Sequence, residues 1–182
     1  RDAAGHWFAY NTDVAGFEIA INATGKDVAG LNVVMIGAGG AARAAIYSLA
    51  ASSARISIVN RTEANAKSVA RELAPLARAG DLATLAAFAE TADMVVNSAS
   101  LGHAGGALPP LPAGKGRPFL DLSYGKAVAG TLSAAAAAGW TPYDGLPMLV
   151  GQAAAAFRIW FGISPDEASA LKACREAVAA RG

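Results

Sequence analysis

The apolar residues of this chain follow two rhythms. Residues 31–36 (LNVVMI), 55–59 (RISIV), 93–97 (DMVVN) and 118–123 (PFLDLS) are short, nearly unbroken apolar runs, and residues 140–143 form a shorter fifth. Bounded by polar or glycine residues, such runs predict strands buried on both faces. Between them the apolar spacing is helical. Val14, Phe17 and Ile21 follow Asn11-Thr12-Asp13, predicting a first helix capped by Thr12 or Asp13 and ended at Thr24-Gly25-Lys26-Asp27. Further helices are predicted over residues 40–52 and 63–79, with Pro75 ending or kinking the second, and residues 81–89 read as a connector with some helix. Residues 131–138 (TLSAAAAA) are a strong helix former stopped by Gly139, and residues 148–161 form an amphipathic helix closed by Gly162. Ser164-Pro165-Asp166-Glu167 has capping-box spacing with Pro at the first helical position, opening a last helix that runs to about Ala180. This alternation predicts an α/β fold, a doubly wound parallel sheet of Rossmann type. No linker, repeat or charge block divides it, so residues 1–182 read as a single domain.

The chain is organised around residues 31–43 (LNVVMIGAGGAAR), where a buried strand breaks at glycines and resumes as helix. This is the pattern of a dinucleotide turn. Gly37 lets the chain turn, Gly39 and Gly40 let backbone N–H groups approach a pyrophosphate, and the small Ala41 and Ala42 let the helix lie close to the strand. The second strand ends at Asn60-Arg61-Thr62, where a dinucleotide fold meets the adenosine ribose. A carboxylate at this position selects the 2′-hydroxyl of NAD. An amide followed by a guanidinium instead suits the 2′-phosphate of NADP, with the Thr62 hydroxyl beside it. The alternative for these residues is a surface arginine next to a helix cap. Asn97 and Ser98 end another strand, at the edge where open α/β sheets bind ligands. His103 has no orienting carboxylate in the sequence around it and reads as surface.

Composition narrows the partners. A formal charge of +1 over 182 residues gives no electrostatic reason to expect nucleic acid, and no apolar run is long enough to span a bilayer. The single cysteine, Cys174, excludes an internal disulfide and fits a reducing, cytoplasmic setting, and no export signal is visible. A first residue of Arg rather than Met reads as a fragment or processed product.

Taken together, four separated motifs resemble the shikimate dehydrogenase family, which includes quinate/shikimate dehydrogenases. Asn11-Thr12-Asp13 with Gly16-Phe17 is similar to its NTDxxGF, Gly37 to Ala42 to its GxGGAA turn, and Asn60-Arg61-Thr62 to its NRT motif. Asp144-Gly145-Leu146-Pro147-Met148-Leu149-Val150 with Gln152, Ala153 and Phe157 is similar to its DGxxMLVxQAxxxF. The resemblance implies reversible, NADP-dependent reduction of 3-dehydroshikimate to shikimate. It implies that Asp13 binds substrate hydroxyls and assists proton transfer, and that Gln152 and Tyr124 contact this small hydroaromatic acid. Gly145 and Met148 would lie at the nicotinamide, Arg61 and Thr62 at the 2′-phosphate, and Gly39 to Ala42 at the pyrophosphate.

The departures from the family are equally specific. The family's catalytic lysine belongs to an N-terminal substrate domain before the NTD motif, and only ten residues precede Asn11 here. Lys126, in a loop after a strand end, is the nearest substitute in the sequence. Asn65 stands where the family carries a basic residue after NRT, Ala99 replaces the threonine of NATS, His103 replaces the residue after SxG, and the proline expected two residues after Tyr124 is missing. The expectation is the cofactor domain of such an enzyme, inactive or nearly so without the lysine domain. A non-catalytic NADP(H)-binding sensor or scaffold is the alternative. Apolar surface around Trp7, Phe8 and the helix carrying Met148 is expected to be exposed, inviting self-association or the absent domain.

Overall fold

The computed structural model describes residues 4–100 and 107–180; His103 therefore lies outside the described residues. Six strands form one all-parallel sheet: β1 (Asn32–Ile36), β2 (Arg55–Val59), β3 (Arg78–Gly80), β4 (Met94–Asn97), β5 (Pro118–Asp121) and β6 (Thr141–Tyr143). Their order is β3-β2-β1-β4-β5-β6, so the winding reverses between β1 and β4. The registers Ile36↔Val59, Ile36↔Asn97 and Asn97↔Asp121 align the carboxyl ends of the four longest strands along one edge. Brändén's rule places a ligand outside that edge, at the reversal.

The strands alternate between two cores. Val33, Met35, Ile58, Met94, Val96 and Leu120 face one layer of helices, α1 (Thr12–Ala23), α2 (Gly40–Ala51) and α3 (Glu63–Leu73), joined there by Met148 of α6 (Leu146–Phe161). Val34, Ile36, Val59, Val95 and Phe119 face α4 (Leu85–Glu90) and α5 (Ala129–Ala137), with Trp140 closing that side. Burial on both faces explains why the strands read as continuous apolar runs. A last helix, α7 (Glu167–Ala180), has no fully buried residue.

Three local expectations are corrected. Helix α3 stops at Leu73 instead of running to residue 79, because Pro75 lacks an N–H and forces Ala74 out of helical geometry, to φ −148° and ψ 74°. The residues released form β3, an edge strand of three residues that is too short to show a period. The cap of α1 is Asn11, neither Thr12 nor Asp13: its side chain accepts from the Asp13 N–H at 3.0 Å. At α7 the cap is Asp166 rather than Ser164. The Asp166 carboxylate accepts from the Ala168 and Ser169 N–H groups, while the Ser164 hydroxyl takes a hydrogen bond from Arg158.

Candidate functional site

Everything at the carboxyl edge is arranged around the turn after β1. Gly37 has φ +111°, its N–H donates to the Val59 carbonyl at 2.8 Å, and an added Cβ would lie 2.3 Å from the Ser98 hydroxyl oxygen. Glycine is therefore required there on two counts, backbone conformation and space. Gly39 and Gly40 are a different case. A Cβ at either meets nothing within 4 Å, so what they leave open is the approach from outside. Gly39 occupies the N-cap of α2 with no side-chain hydrogen bond, leaving the first N–H groups of the helix, through Ala41 and Ala42, for an external acceptor. Ala42 is fully buried against the sheet.

Beside this turn, Gly37, Asn60, Arg61, Thr62, Asn65 and Ala99 line a pocket of about 390 Å³. Asn60 shapes it by donating from its side-chain amide to the Thr62 carbonyl at 3.0 Å. Thr62 sits at the N-cap of α3, yet its hydroxyl makes no capping hydrogen bond. Arg61 is exposed and takes part in none of the ion pairs found among the described residues. Lys67, by contrast, is paired with Glu63 at 2.9 Å. The pocket thus offers a free guanidinium, a free hydroxyl and an open helix end, a donor set that suits a phosphorylated dinucleotide.

Asn97 and Ser98 stand at the predicted edge, but their side chains are engaged inside the fold. Ser98 donates its hydroxyl to the Ile36 carbonyl at 2.9 Å. Asn97, 1% exposed, donates to the Asp121 carboxylate at 2.7 Å and the Ala99 carbonyl at 3.1 Å, and accepts from the Ala99 N–H at 3.1 Å. The geometry makes them the frame of the pocket.

On the other side of the reversal, α1 and α6 cross in close contact. A Cβ on Gly16 would lie 2.6 Å from the Met148 carbonyl oxygen and 3.0 Å from Gln152, and one on Gly151 would lie 2.8 Å from Ile19. Two facing glycines therefore let the helix backbones touch. Asp13 lies one turn before Gly16 on the same side of α1. The start of α1 is also tied to the glycine turn, because Asn11 and Val14 line a cleft with Arg43 of α2's first turn. With Asn11 as cap, the half-buried Asp13 carboxylate has no side-chain partner within α1, and Gln152 uses only its N–H, toward Leu149 at 3.1 Å. Gly145 is pressed against β5, its N–H donating to the Ser123 carbonyl at 2.8 Å, with no room for a Cβ beside the Leu122 carbonyl. Tyr124 is 43% exposed at the same edge, and Lys126 stands exposed on the 3-10 turn Gly125–Val128 that follows.

Two features of the site escaped the sequence reading. The Asp121–Asn97 contact is one; its signal is a lone carboxylate at the last position of an apolar strand. The other is the pair between Arg175 and Asp144 at 3.0 Å, which ties α7 to the loop before α6 and has no local sequence signature.

Sequence profiles match in two places: that of shikimate/quinate 5-dehydrogenase over residues 18–104, and that of the shikimate 5′-dehydrogenase C-terminal domain over residues 145–175. Shikimate dehydrogenase (NADP(+)) of Hyphomonas neptunium is 46% identical over 174 residues, covering 96% of this chain and 64% of that protein. The enzyme of the same name from Sphingopyxis alaskensis is 38% identical, with 92% and 61% covered. Among solved structures, the Thermus thermophilus shikimate 5-dehydrogenase complex with NADP(H) and shikimate superposes with a TM-score of 0.73 at 33% identity, over 93% of this chain and 64% of that one. Quinate dehydrogenase from Corynebacterium glutamicum in complex with NAD gives 0.81 at 26% identity, over 94% and 64%. The chain spans slightly less than two thirds of these relatives. The two profile matches and this level of identity agree, and the chain belongs to the shikimate dehydrogenase family.

Proposed function

We propose that these residues form the NADP-binding domain of a shikimate dehydrogenase-type oxidoreductase, one that interconverts 3-dehydroshikimate and shikimate. The observation that carries the reading is the shared pocket of Gly37, Arg61 and Thr62 at the carboxyl edge of the sheet, beside the reversal of the winding. Bound NADPH would supply a hydride, and the chain supplies the groups that hold the nucleotide and one side of the substrate site. The open first turn of α2 holds the pyrophosphate, and Arg61 and Thr62 hold the 2′-phosphate by charge-assisted hydrogen bonds. Gly145 and the buried Met148 form the wall for the nicotinamide. Asp13 accepts hydrogen bonds from substrate hydroxyls and assists movement of the proton that accompanies hydride transfer, while Gln152 and Tyr124 orient the acid.

The ammonium that would pair with Asp13 is expected from the substrate domain that the family resemblance implies. An exposed apolar surface is available to such a partner. Trp7 and Phe8 are 80% and 60% exposed, and Trp160, Phe161 and Ile163 at the far end of α6 are 75%, 61% and 61% exposed. This surface, rather than the buried start of α6 at Met148, is the part of that helix open to docking or self-association. No helix among the described residues is long and apolar enough to cross a membrane. A cytoplasmic setting belongs to the same reading, supported by the single cysteine.

Mixing the 182-residue chain with NADPH, and separately with NADP and shikimate, tests the division of labour. The reading expects nucleotide binding by fluorescence and negligible NADPH formation from shikimate. Robust shikimate oxidation by this chain alone would contradict it and bring Lys126 forward as the ammonium.

A further inference from the structure

Asp121 is a carboxylate at the end of β5, 1% exposed. Its Oδ2 accepts from the Asn97 side-chain amide at 2.7 Å and its Oδ1 from the Ser123 N–H at 2.8 Å. Both carboxyl oxygens take N–H donors here, so it is the donor end of the Asn97 amide that turns toward Asp121. With one N–H committed to Asp121, the other donates to the Ala99 carbonyl and Oδ1 receives the Ala99 N–H, both at 3.1 Å. Ala99 is thus gripped on both of its backbone polar groups. It lines the nucleotide pocket opposite Arg61, and the neighbouring Ser98 is seated in the space that Gly37 leaves by having no Cβ. The chain of contacts runs from a buried carboxyl group on one strand, through an amide on the next, to the backbone that walls the pocket.

We propose that Asp121 is a positioning residue for the nucleotide: by orienting the Asn97 amide it sets the place of Ala99 and the width of the pocket. The inference rests on the reading of that pocket as the NADP site. Asp121→Asn removes the orienting rule, because an amide at 121 can present either a donor or an acceptor to Asn97. The double variant Asn97→Asp with Asp121→Asn restores a defined contact with donor and acceptor exchanged. The amide at 121 then donates to the carboxylate at 97 and still accepts from the Ser123 N–H, while the hydrogen bond to the Ala99 carbonyl is replaced by an unfavourable contact between two acceptor oxygens.

The test is the NADPH dissociation constant of the full chain, measured well below each variant's melting midpoint, so that a loss of stability alone leaves it unmoved. We expect Asp121→Asn to weaken NADPH about three- to tenfold, the size of one misplaced hydrogen bond, and the double variant, which keeps the Ala99 N–H contact alone, to regain part of that loss. Should Asp121→Asn not fold, Asn97→Ser, too short to reach from Asp121 to the Ala99 backbone, is expected to show the same weakening. Wild type that binds NADPH together with a folded variant that binds it equally well overturns the positioning role alone. Wild type that fails to bind NADPH overturns the pocket assignment and this inference with it.

Discussion

Replacing Gly37 with alanine tests the turn on which the site depends. The residue sits at φ +111°, where an L side chain is strained by about 1–3 kcal/mol. Its Cβ would also lie 2.3 Å from the Ser98 hydroxyl oxygen and 3.3 Å from the Ala99 nitrogen. Ser98 cannot yield without giving up its hydrogen bond to the Ile36 carbonyl, worth about 0.5–1.5 kcal/mol. Against these costs, alanine restricts the unfolded chain and returns about 0.4–1 kcal/mol. The net expectation is a loss of about 1–4 kcal/mol in urea unfolding, together with weaker NADPH binding as Ser98 and Ala99 shift. Gly40→Ala is the control. It lies in the first turn of α2 with open space around its Cβ, so it is expected to leave stability unchanged or raise it by up to about 1 kcal/mol, while crowding the pyrophosphate. A Gly37→Ala variant within about 0.5 kcal/mol of wild type would refute the argument, since that is the ordinary spread for an uninvolved surface position.

The corrected cap of α1 separates structural from chemical roles. Asn11→Ala is expected to cost about 1 kcal/mol, and Asp13→Asn no more than about half that, in denaturant unfolding; equal costs would return Asp13 to a capping role. At the other end of the chain, hydrogen bonds from the Ser169 side chain, the Ser169 N–H and the Ala168 N–H hold the Asp166 carboxyl below its ordinary value of 3.8, outweighing a slight upward push from desolvation. A depressed value in the folded state means the cap is fully present above the ordinary carboxylate range and is lost as pH falls through the lowered value. Protection factors for amide exchange over Glu167–Ala180, taken relative to the intrinsic rate at each pH, should therefore fall on acidification in wild type more than in Asp166→Ala. Identical profiles would contradict the capping assignment.

How much of this was legible in the sequence depends on how local each signal is. The strands of the central sheet and the glycine turn were readable because burial on both faces and a run of six small residues, Gly37 to Ala42, leave marks within a few residues. Arg61 and Thr62 were readable for the same reason: position after a strand end determines what they face. The edge strand Arg78–Gly80 was not, since its pairing with β2 lies in another part of the chain and its three residues carry no alternation. The sequence pointed to Thr12 or Asp13 as the α1 cap, and only the observed geometry, Asn11 accepting from the Asp13 N–H, moves it earlier, to Asn11. Asn97 was legible as a site position but not as a frame residue, because its partner Asp121 is 24 positions away. The facing glycines 16 and 151 were likewise invisible as a pair, although Gly16 belongs to a recognised motif.

The account stands most directly on how the pocket at Asn60-Arg61-Thr62 discriminates between nucleotides. Calorimetric titration of NADPH and NADH into wild type and Arg61→Ala measures it. The structure leaves this guanidinium without an ion-pair partner among the described residues, so its removal should weaken NADPH by about 1.5–3 kcal/mol and leave NADH nearly unchanged. Equal losses for both nucleotides, or no loss for either, would contradict the assignment of the 2′-phosphate to Arg61.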